Sequence, residues 1–207
     1  MGDLTLPMTR EAYHRHVRHN RQNNTVRWRG VPVIKYATDL VTYSQVIFRT
    51  KPDWIIECGT AYGGSSLFFG DMLTLAGGTG KVISIDIRAV STPPHAKVEY
   101  LEASSIDRST VAEVRKRIGG KVMVVLDSAH DRLHVSRELR LWSPSVTVGQ
   151  YLVVEDCFGV TGDTLVPRGA GVALRQFLAK KPPFLLEPLE DQFVFSVVLG
   201  GWMRRTE

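Results

Sequence analysis

Four apolar runs in this chain each close on an acid, and those acids are the residues best placed to do chemistry. Ile55-Ile56-Glu57, Lys81 to Asp86, Lys121 to Asp127 and Tyr151 to Glu155-Asp156 all read as buried strands ending in carboxylates. One acid after a strand is commonly a helix cap or a solvated loop residue, because Asp is favoured at caps. Four at four strand ends exceed that account. In an open parallel sheet the ligand crevice lies outside the carboxyl ends of the strands, so these acids converge on one edge. Asp127, Glu155 and Asp156 offer oxygen ligands from two strand ends, which suits a hard divalent cation such as Mg²⁺ and not the thiolate and imidazole set that zinc prefers. Three carboxylates brought together repel one another, and a cation removes that cost. His130 follows Asp127 by three residues. An imidazole is the side chain that in general gains and loses a proton near neutral pH, so a histidine here could accept a proton from a hydroxyl.

The first of these strands runs into a glycine loop, Glu57-Cys58-Gly59-Thr60-Ala61-Tyr62-Gly63-Gly64-Ser65-Ser66. Its glycines let the backbone turn tightly and approach a ligand, and Ser65 or Ser66 is expected to cap the helix that begins near Leu67. The spacing fits neither the Gly-x-Gly-x-x-Gly dinucleotide fingerprint nor the Walker loop. Glu57 at the strand end suits a ligand with positive charge or many hydrogen-bond donors, and is a poor neighbour for a polyphosphate. Asp86, closing the next strand, is placed to hold the two hydroxyls of a ribose.

Alternating elements are needed to position these groups. Helices are expected at Leu40 to Phe48, Leu67 to Leu75, Ser109 to Ile118, Asp131 to Trp142 and Ala170 to Ala179, with Pro52 and Pro182-Pro183 closing the first and last. Val98 to Leu101 reads as a short strand, and Phe184 to Glu187 with Phe193 to Val197 as a closing hairpin. Strands alternating with helices imply a parallel sheet, into which the hairpin sets one antiparallel strand. The stretch from Phe158 to Gly169, rich in glycine and carrying Arg168, is expected to be a mobile lid over the acceptor side.

Composition narrows the class. A chain of 207 residues with 43% hydrophobic and 23% charged residues is ordinary for one compact α/β domain. It has neither an apolar run long enough to span a bilayer nor a signal-peptide pattern, so a cytoplasmic protein without membrane contact is expected. Cys58 and Cys157 form no Cys-x-x-Cys pair and read as reduced core thiols. Through Lys35 there are seven Lys or Arg against two acids, which is the whole net charge of +5. That basic segment, residues 1–35, could serve as a lid or a contact between subunits of a homo-oligomer, with the main domain at 36–207. His14, His16 and His19 lack the i, i+4 spacing of a helical metal pair.

Together the motifs resemble the class I S-adenosylmethionine-dependent methyltransferases, and within them the cephalosporin hydroxylase family of metal-dependent O-methyltransferase-like proteins. The resemblance rests on Glu57-x-Gly59-Thr60-x-x-Gly63-Gly64-Ser65, Ser84-Ile85-Asp86, Leu126-Asp127-Ser128-Ala129-His130, Leu152-Val153-Val154-Glu155-Asp156 and the closing Gly200-Gly201-Trp202-Met203-Arg204-Arg205. It implies a Rossmann-like α/β fold, a seven-stranded mainly parallel sheet with an antiparallel strand from the C-terminal hairpin and helices on both faces. It implies S-adenosylmethionine as cofactor, contacted by Glu57 at the amino acid portion and by Gly59, Thr60, Gly63, Ser65, Asp86, Ser104, Ser105 and Asp127. Mg²⁺ or another hard cation on Asp127, Glu155 and Asp156 would hold the acceptor oxygen, with His130 as base where the similar catechol enzymes place a lysine. The expected acceptor is a hydroxyl on a small molecule, a natural product or sugar. Three other readings compete. An accessory or binding protein keeping the fold is opposed by the intact acids, and a nicotinamide-dependent oxidoreductase by the glycine spacing. An RNA methyltransferase is opposed by a basic stretch whose only stacking aromatics are Tyr13 and Trp28.

Overall fold

Apolar strands that alternate with amphipathic helices bury both sheet faces only when the sheet is central and helices cover it. The computed structural model, which describes residues 26–88, 93–161, 164–193 and 196–207, has that form. Its main sheet consists of β3 (Trp54–Cys58), β4 (Lys81–Asp86), β5 (Val98–Glu102), β6 (Val122–Leu126), β7 (Tyr151–Val154), β10 (Phe184–Leu186) and β11 (Trp202–Arg205). Their order is β10-β11-β7-β6-β3-β4-β5. Strands β7, β6, β3, β4 and β5 run parallel, and β11 is antiparallel to both β7 and β10. The chain builds outward from β3 through β4 to β5 and then crosses back to β6, so the strand order reverses at the carboxyl end of β3. That reversal is where an open α/β sheet forms its crevice.

Among the described residues five helices cover the sheet: α1 (Ala37–Thr50), α2 (Gly64–Leu75), α3 (Arg108–Arg117), α4 (Arg132–Trp142) and α5 (Gly169–Leu178). Side chains alternate along a strand, so neighbouring residues of β3 serve opposite cores. Ile55 packs with Tyr43, Ile47, Phe68 and Phe69 of α1 and α2. Ile56 faces the other way, among Val114, Leu139, Trp142 and Ala173 of α3, α4 and α5. Asp107 and Asp131 start α3 and α4 by accepting hydrogen bonds from the backbone N–H groups of Ser109 and of Leu133 and His134.

Two short hairpins complete the chain. β1 (Val26–Trp28) and β2 (Val31–Val33) lie against α2, where Trp28 meets the Phe68 ring edge-on at 5.0 Å and its Nε1 donates to Asp71 Oδ2 at 2.7 Å. β8 (Phe158–Thr161) and β9 (Thr164–Pro167) pair antiparallel. Within the stretch expected as a mobile lid, the described residues thus form two strands paired with each other. The second strand of the closing hairpin also differs from expectation. β10 pairs with Trp202–Arg205, and not with 193–197, of which 194–195 lie outside the described residues. Trp202 and Met203 are the more deeply buried pair and supply the side chains that fill both cores beside β7. Of the basic segment, residues 1–25 lie outside the described residues.

Candidate active site

The glycine loop is held tightly by the neighbouring strand. Gly59 has φ +101°, and a Cβ there would stand 2.0 Å from the carbonyl oxygen of Asp127. Only glycine fits both demands. Gly63, at φ +80°, is the N-cap of α2. The expectation of a serine cap fails because Ser65 and Ser66 already lie inside the helix and turn their hydroxyls toward Glu57.

Asp86 closes the loop from β4. Its Oδ2 accepts the backbone N–H groups of Thr60 at 2.9 Å and Ala61 at 3.1 Å, and its Oδ1 accepts that of Arg88 at 3.1 Å. A carboxylate has about four lone-pair sites, so capacity remains for hydroxyl donors. Asp86 lines a pocket of about 500 Å³ whose wall also carries Gly59, Ser105, Asp127, Ser128 and His134, with Ile85, Ile87 and Ala103 as apolar lining. A small annex of about 20 Å³ reaches toward Lys35, Thr60 and Ser65. Ser104, expected beside Ser105, is not part of the pocket wall; its carbonyl accepts the N–H of Asp107.

Glu57 has a different place from the one expected. It is fully buried, and it lines neither the pocket nor the annex. Its Oε1 accepts from Ser65 Oγ at 2.5 Å, and its Oε2 from Ser84 Oγ at 2.7 Å and from Ser66 Oγ. Burial pushes its pKa up, opposed by Lys35 and the three hydroxyls. The carboxylate thus pins the first turn of α2 to β3 and β4.

At the ends of β6 and β7 the acids are arranged around a buried cation. Lys35, just after β2, places its Nζ 2.6 Å from Asp127 Oδ2 and 2.6 Å from Glu155 Oε1. Tyr43 of α1 also donates to Glu155 Oε1, at 2.5 Å. Glu155 is therefore turned inward against Lys35 and Tyr43, where it was expected to face a metal. Burial pushes Glu155 up to about 7 and Asp127 up to about 6, with Lys35 pulling each back down. Lys35 itself is raised, the two carboxylates outweighing its desolvation. One ammonium shared by two acids leaves neither fully compensated.

Asp156 faces the other way, held at φ +52° by the bond from its N–H to the Val197 carbonyl. His130 Nε2 lies 3.4 Å from Asp156 Oδ2 and 4.0 Å from Asp127 Oδ1. Asp127, His130 and Asp156 each present one ligand atom within 4.8 Å of the others. The two carboxylates supply the oxygen donors that fit a hard divalent cation, and the imidazole stands beside them. Asp127 belongs to both halves, walling the pocket on one side and joining this cluster on the other. Lys35 and Tyr43 carry no motif. The sequence signal for Lys35 is a lysine standing in an apolar run, Val31 to Tyr36, and Tyr43 has none.

Comparison with known proteins places this arrangement among methyltransferases. The family model Rhamnosyl O-methyltransferase/CmcI matches residues 20–206. A protein named rhamnosyl O-methyltransferase from Mycobacterium leprae (strain TN) is 33% identical over 168 residues, 78% of this chain and 73% of that protein. Among solved structures, an apo form of CmcI superposes with a TM-score of 0.68 at 20% identity, covering 88% of this chain and 76% of the other. A CmcI structure with Mg and SAM gives 0.67 at 18% identity, covering 88% and 77%. At those identities the likeness is one of fold.

Proposed function

The chain belongs to the Rhamnosyl O-methyltransferase/CmcI family, and from that premise we propose that it moves the methyl group of S-adenosylmethionine to a hydroxyl of a sugar or other natural product, with a divalent cation at the acceptor side. The observation that carries this reading is the double position of Asp127, at the wall of the large pocket and in the acid and imidazole cluster. A cofactor in the pocket and an acceptor at the cluster then meet at one residue. Relatives named rhamnosyl O-methyltransferases make a sugar hydroxyl the preferred acceptor.

In this reading Asp86 receives the ribose hydroxyls, the apolar pocket lining receives the base near Ser105, and the amino acid portion extends from the pocket along the glycine loop toward Thr60 and Ser65. Asp127 and Asp156 hold the cation, Mg²⁺ being the natural choice for oxygen ligands. Such a cation supplies positive charge that orients the acceptor hydroxyl and favours its deprotonation. S-adenosylmethionine, when bound, would supply a methyl group activated by the positively charged sulfur, which would keep the bonding electrons as a neutral thioether. His130 takes the hydroxyl proton, its ring steadied by Asp156. Lys35 keeps Asp127 and Glu155 fixed and partly neutralised, so that the rest of the cluster does not collapse when empty. The fold otherwise contributes alignment of the two reactants.

We take the methyltransferase unit to begin at the β1–β2 hairpin, because Trp28 packs on α2 and Lys35 enters the site. Residues 1–25 are then the part left to act as a lid or subunit contact. Cys58 and Cys157 are buried and not joined in a disulfide, which suits the cytoplasm. Among the described residues no helix is long and apolar enough to cross a membrane.

The test is chelation combined with one variant. EDTA should abolish methyl transfer to a rhamnosyl acceptor and Mg²⁺ restore it, while calorimetry shows S-adenosylhomocysteine still binding. His130→Ala should keep Mn²⁺ affinity and lower turnover by about 10²–10⁴-fold. Full activity in EDTA would remove the cation from the mechanism, and lost Mn²⁺ affinity in His130→Ala would make the imidazole a ligand and not the base.

A further inference from the structure

Behind the pocket wall lies a carboxylate that the transfer chemistry does not use. Glu138, on α4, is fully buried and does not line the pocket. Its Oε1 accepts from Ser105 Oγ at 2.6 Å and from Ser128 Oγ at 2.7 Å, and His134 Nε2 stands 3.4 Å away. Its Oε2 is buried without a hydrogen-bond partner. The three groups that converge on Oε1 are all pocket-wall residues. They come from three places in the chain, the turn after β5, the loop after β6 and the first turn of α4.

A serine hydroxyl has one hydrogen and two lone pairs. With both hydrogens committed to Glu138, Ser105 and Ser128 can offer a ligand only acceptors. His134 Nε2 also lies 3.3 Å from Ser105 Oγ, and the neighbouring Glu138 raises the imidazole's pKa, which keeps a hydrogen on that nitrogen directed inward. The pocket end beyond Asp86 is thus polarised as hydrogen-bond accepting, between apolar walls suited to a flat ring.

We propose that Glu138 is a positioning residue that sets this polarity and so selects a purine bearing a 6-amino group over one bearing a 6-oxo group. The inference rests on the proposed cofactor reading and deepens it. An exocyclic amine donates to the serine oxygens, whereas a 6-oxo group meets lone pairs with lone pairs. Glu138 itself touches no part of the ligand. Its effect passes through the direction of two hydroxyl hydrogens.

The experiment compares S-adenosylhomocysteine with S-inosylhomocysteine by calorimetry in the full chain. Wild type should bind the adenosyl compound about 10–100-fold more tightly, the effect of leaving one buried polar group unpaired. Glu138→Met keeps the volume and removes the acceptor, freeing both hydroxyls to rotate and donate; the ratio should fall to within about threefold on the same scale. A merely structural role would lower the melting temperature and both affinities together without moving the ratio. Should Glu138→Met not fold, Ser128→Ala supplies the second arm: it deletes one acceptor, and the adenosyl compound alone should weaken. Equal wild-type affinities, or a ratio unmoved in whichever variant folds, would overturn the proposal while leaving the cofactor reading in place. Failure of wild type to bind either compound would overturn the cofactor reading and this inference with it.

Discussion

The two halves of the site solve the placement of negative charge in opposite ways. On the cofactor side Asp86 is half-buried and leans on the backbone N–H groups of Thr60, Ala61 and Arg88, main-chain donors that require no partner side chain. On the acceptor side Asp127, partly exposed at the pocket wall, and the fully buried Glu155 share one ammonium, Lys35, that arrives from far away in the sequence, with the Tyr43 hydroxyl also donating to Glu155. Backbone donors leave a carboxylate open to further hydroxyls. A buried ammonium instead fixes carboxylates in place and offsets their repulsion. The cofactor half is consequently robust to losing a side chain elsewhere, and the acceptor half depends on a single cation.

The largest consequence follows from that dependence. Lys35→Met removes the ammonium and leaves the two carboxylates facing each other, and breaking a buried pair in this way costs about 3–5 kcal/mol. Urea denaturation without metal should show that loss, with added Mg²⁺ recovering part of it by binding the folded state. A variant as stable as wild type without metal would mean that Lys35 is not what holds the acids together.

On the cofactor side the comparable change is smaller and acts on binding. Asp86→Ala should weaken S-adenosylhomocysteine by about 1.5–3 kcal/mol, the worth of a hydrogen bond to a charged group. Undiminished affinity by calorimetry would remove the ribose assignment. Mg²⁺ should not rescue this variant, which separates it from Lys35→Met.

The same contrast explains what the sequence could and could not tell. Strand ends closing on Asp86 and Asp127 are local patterns, an apolar run followed by an acid, and the sheet places them where parallel strands must end. Lys35 is invisible to such reading because one lysine after a short apolar run forms no motif, and its burial depends on a tertiary contact with the acids that follow β6 and β7. Glu57 misleads for a related reason. It ends an apolar strand like the others, but Ser65, Ser66 and Ser84 close over it, and only the three-dimensional pairing of α2 with β4 reveals that. The last strand was misplaced because the apolar run 193–197 looks more strand-like than Trp202–Arg205, which ends in two arginines that β11 keeps only half-buried.

Glu57 therefore gives an acid that belongs to neither half, and a change there should separate packing from binding. Glu57→Gln replaces one of two accepting oxygens by a donor among three hydroxyls, which should cost about 1–3 kcal/mol of stability. The affinity of the folded protein for S-adenosylhomocysteine should be unchanged. A large loss of affinity with no loss of stability would return Glu57 to the cofactor.

The smallest expected effect is a pH dependence at the edge of the pocket. His134 is only partly buried, and its pKa lies above the ordinary imidazole value, first because Glu138 accepts its hydrogen. A group whose folded pKa is raised gives stability that is fully present below its unfolded value, near 6.5, and is lost as pH rises through the folded value. His134→Ala should therefore cost more stability at pH 6 than at pH 9, by an amount that solvent at this half-open position keeps small. Chemical denaturation of both proteins at the two pH values measures the difference directly. An equal cost at both would show that the imidazole is held by packing and not by its charge. Since the Lys35 cluster lies on the acceptor side, Mg²⁺ should leave this difference untouched, and a metal-dependent difference would mean that the two halves are electrostatically coupled through Asp127.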